Sequence, residues 1–434
     1  GMSGLARYFH KRGCTVCGYD RTPTALTSSL IAEGIQIVFE DNEDLIPAEY
    51  IKPSAETLII YTPAIPKDSR ILNFFSTAGF GIKKRSEVLG IISKGMFTIA
   101  VAGTHGKTTT SSIIAHILKD SGYDCSAFLG GIATNYNSNV LFGSNNVVVV
   151  EADEYDRSFL TLHPDIAVVT SMDPDHLDIY GAKEQLTESF QQFASQLKQN
   201  GSLINRQGLD LEGGVTYSAE GSAPVHAGNI RIENGSFVFD FSNGTQVIEG
   251  LSLGLPGLHN VENAVAAVQV ALILEISADK IKKALANYRG VKRRFEYIVK
   301  TEEHIYIDDY AHHPEELRAC ITAVKTLYPE KELTTIFQPH LFTRTRDFAD
   351  GFGEVLSLTD RLILLEIYPA RELPIEGIDS KLVLDKVGIS DKRLCGKAEA
   401  LELVRQLKPK LLLTVGAGDI DTLVQPLKMI LENA

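Results

Sequence analysis

The stretch "FTIAVAGTHGKTTTSSIIAHILKD", residues 97–120, joins an apolar run to a helix-like run through two glycines, a histidine, a lysine and four threonines. A loop that grips phosphate needs glycines to admit backbone N–H groups to the oxygens, a lysine for the outer phosphates and a hydroxyl for a divalent cation. Gly103, Gly106, Lys107 and Thr108 offer that set, with only Thr104 and His105 between the glycines. A helix starting near Thr108 would also aim its positive end at the same point. The competing reading is a glycine turn that merely starts a helix, and it leaves the Gly-Lys-Thr triplet unexplained.

Five other strings carry groups of the right type. "VVVVEADEYDRSFL" ends an apolar run on Glu151, where a carboxylate is placed to hold a nucleotide's magnesium; Asp153, Glu154 and Asp156 follow, as further ligands or as a solvated acidic loop. "SMDPDHLDIYG" sets His176 among Asp173, Asp175 and Asp178, which suits a second metal or a structural histidine. "PGLHNVENAVAA" puts Asn260 and Asn263 on one helical turn, as carboxamides for an adenine edge or, for Asn260, as a helix cap. "IDDYAHHPEE" and "FQPHLFTRTRD" gather Asp308, Asp309, Tyr310, His312 and His313, then His340, Arg344 and Arg346. Acidic groups can bind a ribose, and Arg with His a small carboxylate. The "KRR" at 292–294 reads either as a solvated hinge or as the source of an arginine that stabilises a transferring phosphoryl group.

These groups need elements to hold them. From residue 1 to about 93, helix-like "SGLARYFHKRG" alternates with strand-like "TVCGYD" and "ETLIIYTPA", the pattern of a parallel sheet with crossover helices. From about 94 to 292 the strands "FTIAVAG", "VVVVEAD" and "DIAVVTS" are almost wholly apolar, as buried parallel strands are. Between about 214 and 255 the residues alternate, and Asn234-Gly235 and Asn243-Gly244 predict type I′ turns in an antiparallel meander. Helices are expected from Asn260 to about Glu275 and again before "NYRGVKRRFE". From about 293 onward α/β alternation returns, with each strand running into a polar or glycine-containing loop where open sheets bind ligands.

Composition narrows the partners. A length of 434 residues suggests about three domains. The net charge of −13 argues against a broad nucleic-acid or anionic-membrane surface, so any anion must be held by local loops. No apolar run has the length of a membrane span, and no signal peptide is evident. Five scattered cysteines fit a reducing cytoplasm, and Cys14 and Cys17, three apart on a predicted strand, read as packing residues.

Together the strings "GTHGKTTT", "EADEYDRSFL", "DHLDIYG", "GLHNVENA", "GVKRRFE", "DDYAHHP", "FQPH" with "TRTRD", "IYPARELPIEGIDS" and "GAGDI" resemble, in order and from end to end, the Mur ligase family. The resemblance implies three α/β domains. These are a Rossmann-like N-terminal domain over residues 1–93 for a UDP-sugar, a P-loop-type ATPase with an antiparallel β-meander over 94–292, and a Rossmann-like C-terminal domain over 293–434 for an amino acid. It implies a cytoplasmic enzyme, monomer or homodimer, without nucleic-acid or membrane partners, that uses ATP and two Mg2+ ions to join L-alanine to UDP-N-acetylmuramate. The alternative is attachment of a preformed peptide to the same sugar.

Carried over position by position, the resemblance gives ATP to Gly103, Thr104, His105, Gly106, Lys107, Thr108 and Thr109, with His259, Asn260 and Asn263 near adenine. It makes Thr108, Glu151 and His176 metal ligands, and brings Arg294 and Asp309 to the nucleotide. Lys107, His176 and Arg294 become the catalytic groups. Asp20, Arg85 and Glu87 fall to the UDP-sugar, and Tyr310, His312 and Arg344 to the amino acid. Three departures from the family pattern carry expectations. The turn that grips the UDP diphosphate is represented by its tail, Gly1 to Gly4, which predicts weak UDP-sugar binding. Leu341 stands where relatives carry arginine, which predicts an incomplete carboxylate clamp. Gln191 and Gln192 occupy the neighbourhood of a carbamylated lysine, so none is expected.

Overall fold

The computed structural model describes residues 2–173, 183–233, 236–370 and 372–433, so Gly1, Asp175, His176, Asp178 and the turn Asn234-Gly235 lie outside the described residues. The side chain of Asp156 is likewise outside them.

Apolar periodicity at the start of the chain becomes the helix Met2–Lys11, which buries Leu5 and Tyr8. The strands after it are short. Instead of one sheet they form two parallel pairs, Cys17–Tyr19 with Gln36–Val38 and Leu58–Tyr61 with Gly81–Lys84. One small core of Ile71, Phe75 and Phe80 receives Tyr19 and Val38 from the first pair and Ile59 and Ile82 from the second. The predicted packing role of the first two cysteines does not hold. The strand begins only at Cys17, and Cys14 and Cys17 are both exposed free thiols.

Ten strands make the large sheet, in the order 247–253, 236–242, 225–233, 215–218, 202–206, 166–169, 97–102, 147–152, 126–133 and 138–141. Its centre is apolar for the reason expected: Ile99 to Ala102, Val148 to Val150 and Ile166 to Val169 are fully buried, so each side chain needs apolar neighbours on both faces. Strand Phe97–Ala102 runs parallel to both Val147–Ala152 and Ile166–Val169. Three carboxyl ends therefore open on the same edge.

The meander is narrower than its pattern suggested. Val215–Ser218 pairs in parallel with strands on both sides, leaving Val225–Glu233, Ser236–Ser242 and Val247–Leu253 as consecutive neighbours. The links between these three are too short for crossovers, so the strands alternate in direction. The turn at Asn243-Gly244 is a four-residue loop, not a two-residue type I′ turn. Asn243 N–H reaches Gln246 O at 3.2 Å, and the Asn243 side-chain oxygen accepts from the N–H groups of Thr245 and Gln246 at 3.2 and 2.9 Å. Only Gly244 of the pair has positive φ, whereas a type I′ turn needs it at both central residues.

Helices Leu258–Ile273 and Ala278–Asn287 follow. The last sheet has six strands in the order 296–300, 305–309, 411–415, 333–337, 361–364 and 392–394, antiparallel at the first pairing and parallel thereafter. By contacts the chain divides into two compact units, Gly1–His226 with Phe241–Val247 and Asn263–Ala284, and Ala227–Asp240 with Ile248–Glu262 and Leu285–Ala434. Among the described residues no helix is long and apolar enough to cross a membrane.

Candidate active site

The loop 103–106 leaves the buried strand Phe97–Ala102 and enters the helix Lys107–Asp120, whose N-cap is Gly106 at φ 81°. That left-handed conformation disfavours a side chain, and one placed there would also stand 2.8 Å from the Asn263 oxygen. The loop is clipped to the end of the neighbouring strand. Thr104 Oγ1 lies 2.9 Å from Ser171 Oγ, His105 N–H donates to Ser171 Oγ at 2.6 Å, and Thr170 Oγ1 donates to His105 O at 2.5 Å. Thr170 and Ser171 went unnoticed in the sequence, where two hydroxyls before "MDPDH" look like ordinary turn residues. Their signal is position, directly after a wholly buried strand.

Lys107 folds back over its own loop, donating to Gly103 O at 2.5 Å and pairing with the Glu154 carboxylate at 2.7 Å. Glu154 is 1 % exposed, and burial pushes its carboxyl above the usual range while Lys107 pulls it down. Thr108 Oγ1 donates to Glu151 Oε1 at 3.1 Å, and Gly130 N–H donates to Glu151 Oε2 at 2.8 Å. A hydroxyl and a carboxylate on adjoining strand and helix ends are hard oxygen donors, the kind magnesium prefers. They fit that ion. Among the described residues no group of three His, Cys, Asp or Glu side chains gathers at metal spacing, and His176 is not among those residues.

A cavity of about 360 Å³ adjoins Glu151. Its wall includes Met2, Gly4, Arg85, Phe128, Asn139 and Asp153, so the N-terminal helix and the sheet edge share it. Arg85 faces Asp153 at 3.5 Å. The other two residues expected for the UDP-sugar do not line this cavity. Asp20 is exposed and accepts from Thr22 N–H at 3.1 Å, and Glu87 caps its own helix through Lys84 N–H at 2.6 Å.

The two asparagines are already engaged. Asn263 Oδ1 accepts from Thr110 Oγ1 at 3.1 Å, and Asn260 Nδ2 donates to Pro256 O at 2.6 Å. His259 is exposed, with its ring over Gly257.

In the last sheet, Tyr310, His312, His340, Arg344 and Tyr368 collect beyond the carboxyl ends of strands 305–309, 333–337 and 361–364. His312 lies edge-on to Tyr310 and His340, with centroids at 5.3 and 6.0 Å, and His340 stacks on Tyr368 at 5.8 Å. Arg344 Nη1 is 3.4 Å from His340 Nδ1. Burial holds the His312 imidazole below its usual range, with Glu316 pulling it back up. Tyr368 lies in the string "IYPARELPIEGIDS" but receives no role there, because only the folded sheet sets its ring against His340. Arg346 is not part of the cluster; it pairs with Asp347 at the surface at 2.7 Å. Leu341 takes φ 70° and ψ 138°, a strained backbone for leucine, immediately before the helix Phe342–Leu356.

Asp309 is buried, and its two oxygens accept from Phe295 N–H at 2.6 Å and Ala311 N–H at 2.7 Å. Burial raises its carboxyl, with the Arg294 charge opposing. Arg294 and Arg293 both lie over the Tyr310 ring, at 5.3 and 5.2 Å. Arg293 also reaches Asp308 Oδ2 at 3.1 Å, so within "KRR" it serves as an internal clasp.

Three family models match the chain: "Mur ligase family, catalytic domain" over residues 1–96, "Mur ligase middle domain" over 101–271 and "Mur ligase, glutamate ligase domain" over 293–419. The chain is 51 % identical over 433 residues to the UDP-N-acetylmuramate–L-alanine ligase of Flavobacterium psychrophilum, covering 100 % of this chain and 96 % of that protein. Its fold matches the crystal structure of the UDP-N-acetylmuramate–alanine ligase of Thermotoga maritima with a TM-score of 0.82 at 26 % identity, over 100 % and 96 % of the two chains. A murein peptide ligase from Psychrobacter arcticus matches in fold with a TM-score of 0.69 at 20 % identity, over 100 % and 97 %.

Proposed function

The chain belongs to the Mur ligase family, and from that membership we infer that it is an ATP-dependent ligase joining L-alanine to the lactyl carboxylate of UDP-N-acetylmuramate, a step of peptidoglycan precursor synthesis. The observation that carries the reading is the meeting of Lys107, Thr108 and Glu151 at one sheet edge, beside a cavity that holds Arg85.

In this reaction two anions must approach each other. The lactyl carboxylate attacks the γ-phosphorus of ATP, the β–γ bridging P–O bond breaks, and ADP leaves behind an acyl phosphate. The alanine amine then attacks the activated carbonyl, loses a proton, and expels phosphate as the C–O bond breaks. The loop N–H groups and the helix N-terminus supply positive potential for the phosphates, and Lys107 adds a full charge. Magnesium, when bound, would neutralise phosphate charge from Thr108 and Glu151, with His176 as the proposed ligand of a second ion. Arg85 has Asp153 as its partner and would exchange it for the substrate carboxylate.

Gly103 to Thr109 take the triphosphate in this proposal, His259, Asn260 and Asn263 the adenine, and Arg294 and Asp309 the remaining nucleotide contacts. Tyr310, His312 and Arg344 take L-alanine, and Asp20 and Glu87 stay with the UDP portion. The reaction belongs to the cytoplasm, where ATP and UDP-sugars are held.

ADP formation measured with UDP-N-acetylmuramate, with and without L-alanine, tests this. Alanine should drive turnover with amide formed, and Lys107→Ala should abolish it. Turnover with a tripeptide but not with alanine would assign the murein-peptide reaction instead, and normal turnover by Lys107→Ala would overturn the site.

A further inference from the structure

The family pattern gives Lys107 to the phosphates, yet in this structure the ammonium is already occupied. Its donors go to Gly103 O at 2.5 Å, to Thr104 O at 3.4 Å and to the Glu154 carboxylate at 2.7–3.0 Å. An ammonium has three protons, so this set uses them. The pair is shielded: the two side chains are 13 % and 2 % exposed, and water screens such a pair weakly. Glu154 stands at the N-cap position of the short turn Tyr155–Thr161 after the buried strand Val147–Ala152, where its carbonyl accepts from Arg157 N–H at 2.9 Å and its side chain makes no capping bond, so the carboxylate is left to Lys107.

We propose that Glu154 is a positioning residue that competes with the triphosphate for the Lys107 ammonium. A nucleotide entering the loop must draw Nζ away from Glu154 and must bring further negative charge up to that buried carboxylate. Both effects oppose binding. The same pull recaptures Lys107 when the phosphate leaves, which favours release of ADP. Glu154 thus sets the balance between holding nucleotide and letting it go. A carboxylate that only braced the loop would act in the opposite sense, since its loss would loosen the loop and weaken binding. The inference rests on the ATP reading above.

The test uses the full chain, titrated with ADP and with a non-hydrolysable ATP analogue by calorimetry in the absence of UDP-sugar. Glu154→Gln keeps the shape and an oxygen for Lys107 but removes the charge, and the expected Kd is about tenfold lower for both ligands. Steady-state assays should show KM for ATP and kcat falling together, because product is held longer. Glu154→Asp draws the charge back by about one bond and should tighten binding by roughly twofold to threefold, which decides the matter if the Gln variant does not fold. Unchanged or weaker binding in these variants, with binding lost in Lys107→Ala, overturns the role of Glu154 and leaves the ATP reading standing. Binding unchanged in Lys107→Ala as well overturns both.

Discussion

Replacing Gly130 by alanine asks whether the Glu151 carboxylate has to stay where the sheet holds it. Gly130 lies on the strand Ser126–Ala133 with its N–H on Glu151 Oε2 at 2.8 Å. A Cβ built there would stand 2.2 Å from Oε1 and 2.4 Å from Oε2, where ordinary contact needs 3.4 Å or more. The carboxylate must therefore retreat by about 1 Å and give up both the Gly130 N–H and the Thr108 hydroxyl. A displacement of that size at a reacting centre costs on the order of 100-fold in rate, and loss of an outer-sphere partner of a metal ligand costs about 10- to 100-fold. The overpacking itself should cost about 1–3 kcal/mol, too little to unfold the chain. The assay is ADP release at saturating ATP, UDP-N-acetylmuramate and L-alanine, with thermal unfolding as the control for folding. A variant that melts close to the parent but turns over about 100-fold more slowly is the expected result. A folded variant with kcat within threefold of the parent would refute the reasoning, because the Glu151 position would then not matter.

Three other perturbations test separate parts of the molecule. Tyr368→Ala removes the ring stacked on His340, a pairing worth about 0.5–1.5 kcal/mol, so steady-state kinetics should show KM for L-alanine rising roughly twofold to tenfold with KM for ATP unchanged. Asn263→Ala leaves the fully buried Thr110 hydroxyl without that acceptor and should cost about 1–3 kcal/mol in urea unfolding. Asp308 is fully buried, and desolvation, with Arg293 opposing, raises its carboxyl from 3.8 to about 6. The folded chain then binds that proton more tightly than the unfolded chain. The stability it contributes is complete below about pH 4 and lost as the pH rises through about 6, and Asp308→Asn should flatten the slope of unfolding free energy across that window by on the order of 1–3 kcal/mol.

Much of the scaffold was legible because burial on both faces leaves its mark in composition. Strands 97–102, 147–152 and 166–169 could be read as parallel from their unbroken apolar runs, and the loop helix from its spacing. The N-terminal pairs were less legible: with three or four residues and partly exposed faces, they carry little periodicity to distinguish one sheet from two. The turn at Asn243 misled because the same dipeptide serves a four-residue loop when the asparagine side chain takes over the hydrogen bonds.

By itself the sequence determined which groups are available and in what order: a glycine-lysine-threonine loop, a carboxylate directly after four valines, and an aromatic and basic set in the last third. Tertiary structure alone decided which of them meet. Glu154 looked like one acid among several in a solvated loop until the strand pairing buried it against Lys107, 47 positions away in the chain. Gly130, Ser171 and Tyr368 sit among neighbours in sequence that give them no evident role. Each acquires a role because parallel strands open their carboxyl ends on one edge, and adjacency across a sheet depends on the order of strands in space, a property that no local run of residues encodes.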